Sequence, residues 1–159
     1  MATTANGLPH PVGTDKVVDG DDAIHALATF LDPPYGGWTN YVPVLGNITL
    51  GNGTLLARFH KLGRTVTTAG FVSFGSTTLN NASPMQVTLP TTATGLPALG
   101  VAAAADTSAG LTIPCIAVPY TSTVVAFRSP AGAFVSSAAP FAWAVGDVLS
   151  WSLTYESTT

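Results

Sequence analysis

The sequence is short of charge. Lysine, arginine, aspartate and glutamate together make up 8% of its 159 residues, against roughly a quarter in an ordinary globular domain. Hydrophobic residues make up 47% and the mean hydropathy is +0.40. Charged surface opposes association, so a monomer this poor in charge has little to keep it dispersed. Either Ser, Thr, Asn and Gly cover the outside, or much of that outside is buried against other copies; both are expected here. Basic clusters are also missing. Lys16, Arg58, Lys61, Arg64 and Arg128 are scattered and the net charge is −3, which excludes electrostatic capture of nucleic acid. Cysteine is nearly absent. Cys115 stands alone in "IPCIAVP", so no intramolecular disulfide can form, and its apolar neighbours mark it as core filler. Long apolar runs are lacking too: "ALGVAAAA", from Ala98 to Ala105, falls far short of the roughly 20 residues of a membrane span. The start, "MATTANGLPHP", has neither the basic region nor the apolar core of a secretory signal. Synthesis and assembly in a cytosol are therefore expected.

What is present divides into a leader, residues 1–38, and a body, residues 39–159. The leader holds five of the eight acids. "GLPHPVGT" is punctuated by Pro and Gly and reads as an extended arm. "DAIHALATFLD" then places Ile24, Leu27, Ala28 and Leu31 at helical spacing. Asp19, Asp21 and Asp22 suit a helix start, where caps and negative charge are favoured. Pro33 and Pro34 end the helix. A helix of about ten residues does not hold itself together in water, so its apolar stripe must lie on something. The leader reads as an attachment device.

From Tyr41 the pattern changes to short strands rich in Val, Thr and aromatics, separated by turns such as Gly51-Asn52-Gly53, Gly63 and Gly146-Asp147. In the last segment Leu149, Trp151, Leu153 and Tyr155 alternate with Ser150, Ser152 and Thr154. "FAWAVGD" reads as one more strand. "GVAAAADTSAG" is the exception, because Ala is a poor strand former; it is a close-packed strand or a loop lying on a neighbour. Eight or so antiparallel strands at this spacing predict an all-β fold, an antiparallel β-sandwich or jelly roll, preceded by the extended arm and one short α-helix.

Catalytic signals are few. The body's carboxylates, Asp106, Asp147 and Glu156, offer no favoured pair for glycosidase chemistry, and Asp147 reads as a turn residue. "GFVSFG" lacks the Gly two before Ser73 that a nucleophile elbow needs. His10, His25 and His60 are isolated and have no metal-ligand spacing. "DGDD" does not continue into a calcium loop. Asn47, Asn52 and Asn81 match glycosylation acceptors but read as turn residues. No enzyme activity, cofactor or metal is expected. Tyr35, Trp38 and Tyr41 gather where leader meets body. They could stack on a sugar, but a plug that seats the helix on the sandwich is the preferred reading. The candidate docking residues are thus Ile24, Leu27, Ala28, Leu31, Tyr35, Trp38 and Tyr41.

The leader "GLPHPVGTDKVVDGDDAIHALATFLD" resembles that of small accessory proteins of tailed bacteriophages, especially those infecting actinobacteria. The match runs through Gly7, Pro9, Pro11, Gly13, Thr14, Asp15, Val17, Asp19, Gly20, Asp21, Ala23, Ile24, Leu27 and Ala28. In the body, Phe59, Gly63 and Val66 match an aromatic-x-x-x-Gly-x-x-Val step. The leader is the specific part of the resemblance and the body is generic. The resemblance implies a jelly roll of tumour-necrosis-factor type, usually trimeric, serving as head decoration or minor tail protein. It carries no catalytic residues. Decoration of the head is slightly favoured over a receptor-binding tail tip, because the chain has no heptads, collagen-like repeat or shaft. The implied partners are further copies of the chain as a homotrimer, the major capsid protein or tail proteins, and, for a tail tip, a host glycan. The implied location is the virion.

Overall fold

The computed structural model describes residues 37–95, 98 and 100–159, together with residues 2, 3, 9, 10, 22 and 24–29. The chain forms two compact units, Met1–Gly37 and Trp38–Thr159. In the first unit, β1 (Ala2–Thr3) pairs antiparallel with β2 (Pro9–His10), and residues 24–29 are helical. The expected capping acids Asp19 and Asp21 lie outside the described residues.

The second unit is all-β. One nine-stranded antiparallel sheet runs in the order β3 (Thr39–Tyr41), β6 (Thr54–Leu62), β7 (Thr65–Ser73), β13 (Val148–Glu156), β10 (Gly100–Asp106), β11 (Leu111–Pro119), β12 (Val124–Arg128), β9 (Gln86–Thr88), β4 (Leu45–Gly46). A small second ladder joins β5 (Ile48–Thr49) to β8 (Leu79–Asn80). Strands β10, β11 and β12 follow one another as a meander, and β13 returns to lie beside β10. That arrangement is a Greek key, common to most sandwiches.

The sheet cannot be flat. Its two end strands, β3 and β4, are joined by only Val42, Pro43 and Val44. Nine strands laid flat would span about 38 Å at ~4.8 Å per gap, whereas the link from Tyr41 to Leu45 reaches at most about 14 Å. The sheet therefore folds over on itself and becomes a sandwich. Polar contacts hold the seam. The Val44 carbonyl accepts from Thr88 N at 3.0 Å and Val44 N donates to Thr88 Oγ1 at 2.8 Å, which prolongs the β4–β9 pairing. The Tyr41 hydroxyl shares a 3.0 Å hydrogen bond with Thr68 Oγ1 on β7 and reaches across to the Thr88 carbonyl on β9 at 3.5 Å. Toward the C-terminus, Thr94 N donates to the Glu156 carbonyl and the Tyr155 hydroxyl donates to the Thr91 carbonyl.

Alternation decides which side chains fill the interior. On β13, Leu149, Trp151, Leu153 and Tyr155 are all buried, and Ser150, Ser152 and Thr154 lie on the other face, as the sequence pattern implies. From β12, Phe127 meets Trp151 across the interior, with ring centroids 5.8 Å apart. Each large apolar side chain sealed in this way contributes about 1.5–3 kcal/mol. The alanine-rich segment is a central strand. Its inward residues are Ala102 and Ala104, so the sheet can bend tightly there. Cα atoms of β11 and β13 approach within 8 Å although β10 lies between them, closer than the ~9.6 Å of two flat strand gaps. Packing has overridden the weak strand propensity of Ala.

"FAWAVGD" is not a strand, contrary to its apolar look. Residues 141–147 form an irregular segment ending in a turn. The Asp147 carboxylate accepts from Ala144 N at 2.7 Å, and Gly146 takes a φ of 89°. Its aromatics pack sideways: Trp143 stacks on Phe74 at 4.6 Å and lies 4.8 Å from Phe141. The Trp143 indole N–H donates to the Ser136 carbonyl.

Gly70, in the middle of β7, faces the Trp151 ring. A Cβ at that position would lie 2.6 Å from Trp151 Cζ2 and 2.7 Å from the Leu56 carbonyl oxygen. Gly70→Ala is therefore expected to lower unfolding stability by about 1–3 kcal/mol through overpacking. Urea denaturation followed by tryptophan fluorescence checks this; unchanged stability would mean that the Trp151 ring is not locked against β7.

Candidate functional site

The most distinctive surface is the outer wall formed by β3, β6, β7, β13 and β10. Strand alternation that points Leu149, Trp151 and Leu153 inward must present the intervening residues outward. Register aligns them in rows across the wall. Leu56, Phe71, Ser150 and Ala103 form one row, and Arg58, Ala69, Ser152 and Val101 the next. Leu56 is 50% exposed and Val101 70%. Two shallow grooves flank β13. Leu56, Ala69, Phe71 and Ser150 line one, and Val101, Ala103, Ser150 and Ser152 the other. An Arg64–Glu156 ion pair, 3.2 Å long and exposed, sits at the end of the wall. Within these two rows the only charge is Arg58. Serine and threonine hydroxyls supply the polarity, as in the Thr67–Thr154 cross-strand bond of 3.0 Å.

Strand parity splits the expected aromatic cluster. Trp38 and Tyr41 lie on opposite faces of the β3 segment. Tyr41 is half-buried against the core, where loss of hydration pushes its hydroxyl pKa up against the opposing hydrogen bond with Thr68. Trp38 lies outside at 44% exposure. The Arg58 guanidinium covers one face of its ring at 4.8 Å, and His60 meets it edge-on at 6.5 Å. Trp38 is therefore not an open platform on that face. In the helix, Ile24 and Ala28 are exposed and Leu27 is half-buried. Leu31 and Tyr35 lie outside the described residues.

Every carboxylate of the body has a structural partner. Asp147 is buried, and its two oxygens accept from Thr107 N at 2.9 Å and Ala144 N at 2.7 Å. Asp106 accepts from Ala109 N and Ser108 Oγ, which holds its pKa below the usual carboxylate range. Glu156 pairs with Arg64. Cys115 is buried, and loss of hydration pushes its thiol up, the inert core role read from the sequence. Among the described residues, no group of three or more His, Cys, Asp or Glu is placed to hold a metal ion, and no helix is long and apolar enough to cross a membrane.

The loop asparagines act as clasps. Asn52 Oδ1 accepts from both Thr77 N and Thr77 Oγ1, tying the 51–53 turn to the 75–78 turn. Asn47 adopts a φ of 64° and donates through Nδ2 to the Pro84 carbonyl. Asn47, Asn80 and Asn81 line a small polar groove beside β5 and β8, in which the Asn80 amide nitrogen is buried without a hydrogen-bond partner. Nothing in the spacing of these residues announces that groove, because its members come from segments more than thirty positions apart. The outer wall was legible only as an alternation of small polar and apolar residues. Which strands would stand side by side was not.

Comparison with family models, curated proteins and solved structures finds no match for this chain.

If Asp147 is a structural tie, Asp147→Ala should lower stability by about 1.5–3 kcal/mol, since it removes the buried carboxylate that accepts from Thr107 N and Ala144 N. Thermal and urea unfolding measure this. A variant as stable as the parent would show that the carboxylate is not holding the 144–147 turn and Thr107 together.

Proposed function

We propose that the chain is a non-enzymatic, multi-copy surface protein of a bacteriophage virion, with its leader as the attachment segment and its sandwich as the exposed body. The observation that carries this reading is the outer wall. A five-stranded face with a single charge in its two central rows is costly to leave against water and suits burial in an assembly. Two further features support it. The body's three carboxylates are all engaged in turns or an ion pair, whereas acid–base catalysis needs titratable groups free to face a substrate. The leader and body are separate compact units, and Ile24 in the leader helix is 70% exposed, as an apolar contact waiting for a partner would be.

Within this class, capsid decoration is preferred to a tail tip. A decoration protein binds only the assembled shell and stabilises it by mass action. A glycan-reading tip needs open aromatic faces. Here Tyr41 and Trp143 are tied into the sandwich by their own hydrogen bonds, and Arg58 covers one face of Trp38. The resemblance of the leader implies a trimer.

Truncation tests the division of labour. Removing residues 1–34 should leave a folded body by circular dichroism that no longer co-sediments with phage particles. Ile24→Asp with Leu27→Asp in the full chain should weaken the same binding, through loss of apolar burial worth about 1.5–3 kcal/mol per side chain. Undiminished binding by the truncated body would place attachment in the sandwich and overturn the role of the leader.

A further inference from the structure

We propose that Asn52 is a self-modification site, held unreacted by the clasp it makes. When that clasp opens, the Asn52 side chain closes onto the Gly53 nitrogen and its amide is converted to an acid. The site lies apart from the attachment and assembly reading and does not depend on it.

The chemistry follows from the dipeptide. Asn followed by Gly is labile because the second residue has no Cβ to shield its backbone nitrogen. The Gly53 nitrogen gives up its proton and attacks Asn52 Cγ. The Cγ–Nδ2 bond breaks, and Nδ2 leaves as ammonia, carrying off the proton that Gly53 lost. Water then opens the succinimide ring at either carbonyl. One opening gives aspartate in a normal chain; the other gives isoaspartate, whose main chain runs through Cβ. Among the described asparagines, Asn40, Asn47, Asn80 and Asn81 precede Tyr41, Ile48, Asn81 and Ala82, and Asn52 alone precedes a glycine.

The fold requires this labile pair. A Cβ on residue 53 would lie 2.6 Å from the Ser73 carbonyl oxygen and 2.6 Å from Thr78 Oγ1, so only glycine fits. The Asn52 carboxamide is engaged at both ends. Oδ1 accepts from Thr77 N at 2.8 Å and from Thr77 Oγ1 at 2.9 Å, and Nδ2 donates to Ser76 Oγ at 2.9 Å. The Thr77 hydroxyl in turn accepts from Asn52 N at 2.9 Å.

The attacking nitrogen is restrained as well. Gly53 N donates to the Leu50 carbonyl at 2.9 Å, closing a tight turn in which Gly51 takes a φ of 56°. A Cβ on Gly75 would lie 2.7 Å from the same nitrogen. Ring closure has to swing that nitrogen off Leu50 and pull the carboxamide off Thr77 and Ser76. Asn52 is exposed, so water and base reach it as soon as the turn opens. Conversion therefore draws on the open population alone. It is also one-way. Aspartate can rebuild the clasp, with the Ser76 hydroxyl donating to it. Isoaspartate cannot, because Gly75 packs too closely to admit a longer main chain.

The full chain is incubated at mildly alkaline pH, folded and in guanidinium chloride, and the peptide holding Asn52 is scored by mass spectrometry. Chromatography separates isoaspartate from aspartate, and Asn6-Gly7 is scored on its own peptide. Asn52 should convert at least about 10-fold more slowly in the folded chain than in the unfolded one. Thr77→Val removes the hydroxyl from the clasp and should raise the folded rate about 5-fold, with circular dichroism unchanged. Ser76→Ala, a milder cut, should raise it less, and Thr67→Val on the outer wall should leave it alone. Equal rates in the folded and unfolded chain would overturn the holding role of the clasp, as would parent rates in both clasp variants. A faster rate in the folded chain would overturn it too, by showing that the Thr77 donors promote attack. No conversion in either state would remove the site.

Discussion

The body is governed by one short connection. Val42, Pro43 and Val44 join the two end strands of a nine-stranded sheet, and three residues cannot reach across a flat one. The sheet must curl, and the curl dictates the rest. It brings Phe127 against Trp151, requires small inward residues at the bend, and leaves one broad outer wall. Ala102 and Ala104 on β10 and Gly70 on β7 answer that requirement at two places. The first pair lets the sheet turn, and the glycine makes room for the indole ring that fills the space within.

The same alternation that builds the interior creates the surface problem. Each buried Leu, Trp or Tyr of β13 commits its neighbours to the outside, and those neighbours are Ser150, Ser152 and Thr154. On β6, β7 and β10 they are Leu56, Phe71 and Val101. Hydroxyls lower the cost of contact with water without supplying charge. A face made in this way is tolerable alone and more stable when covered, which links the composition of the chain to its proposed life as one copy among many.

Much of this was readable in advance where a local signal decided the outcome. The period-two alternation of β13, the glycine and asparagine turns, the buried lone Cys115 and the structural Asp147 all follow from short-range chemistry. The failures have a common cause. "FAWAVGD" has the apolar content of a strand, but the reciprocal bonds between Ala144 and Asp147 close it into a turn, and Trp143 stacks on Phe74. The alanine-rich segment was ambiguous because its place in the sheet depends on neighbours contributed by β11 and β13. Trp38 and Tyr41 look like one cluster in sequence, yet strand parity sends them to opposite sides. The outer wall belongs to the same category: its rows combine residues from four strands, and only pairing register assembles them.

The central claim is that this chain works in many copies on the outside of a virus particle. Imaging purified particles by electron cryo-microscopy, with a label fused to the C-terminus of the chain, tests it most directly. The account predicts label density repeated regularly over the particle exterior, on the head lattice in the preferred form. Particles that assemble with no label on head or tail, while the protein accumulates free, would contradict it.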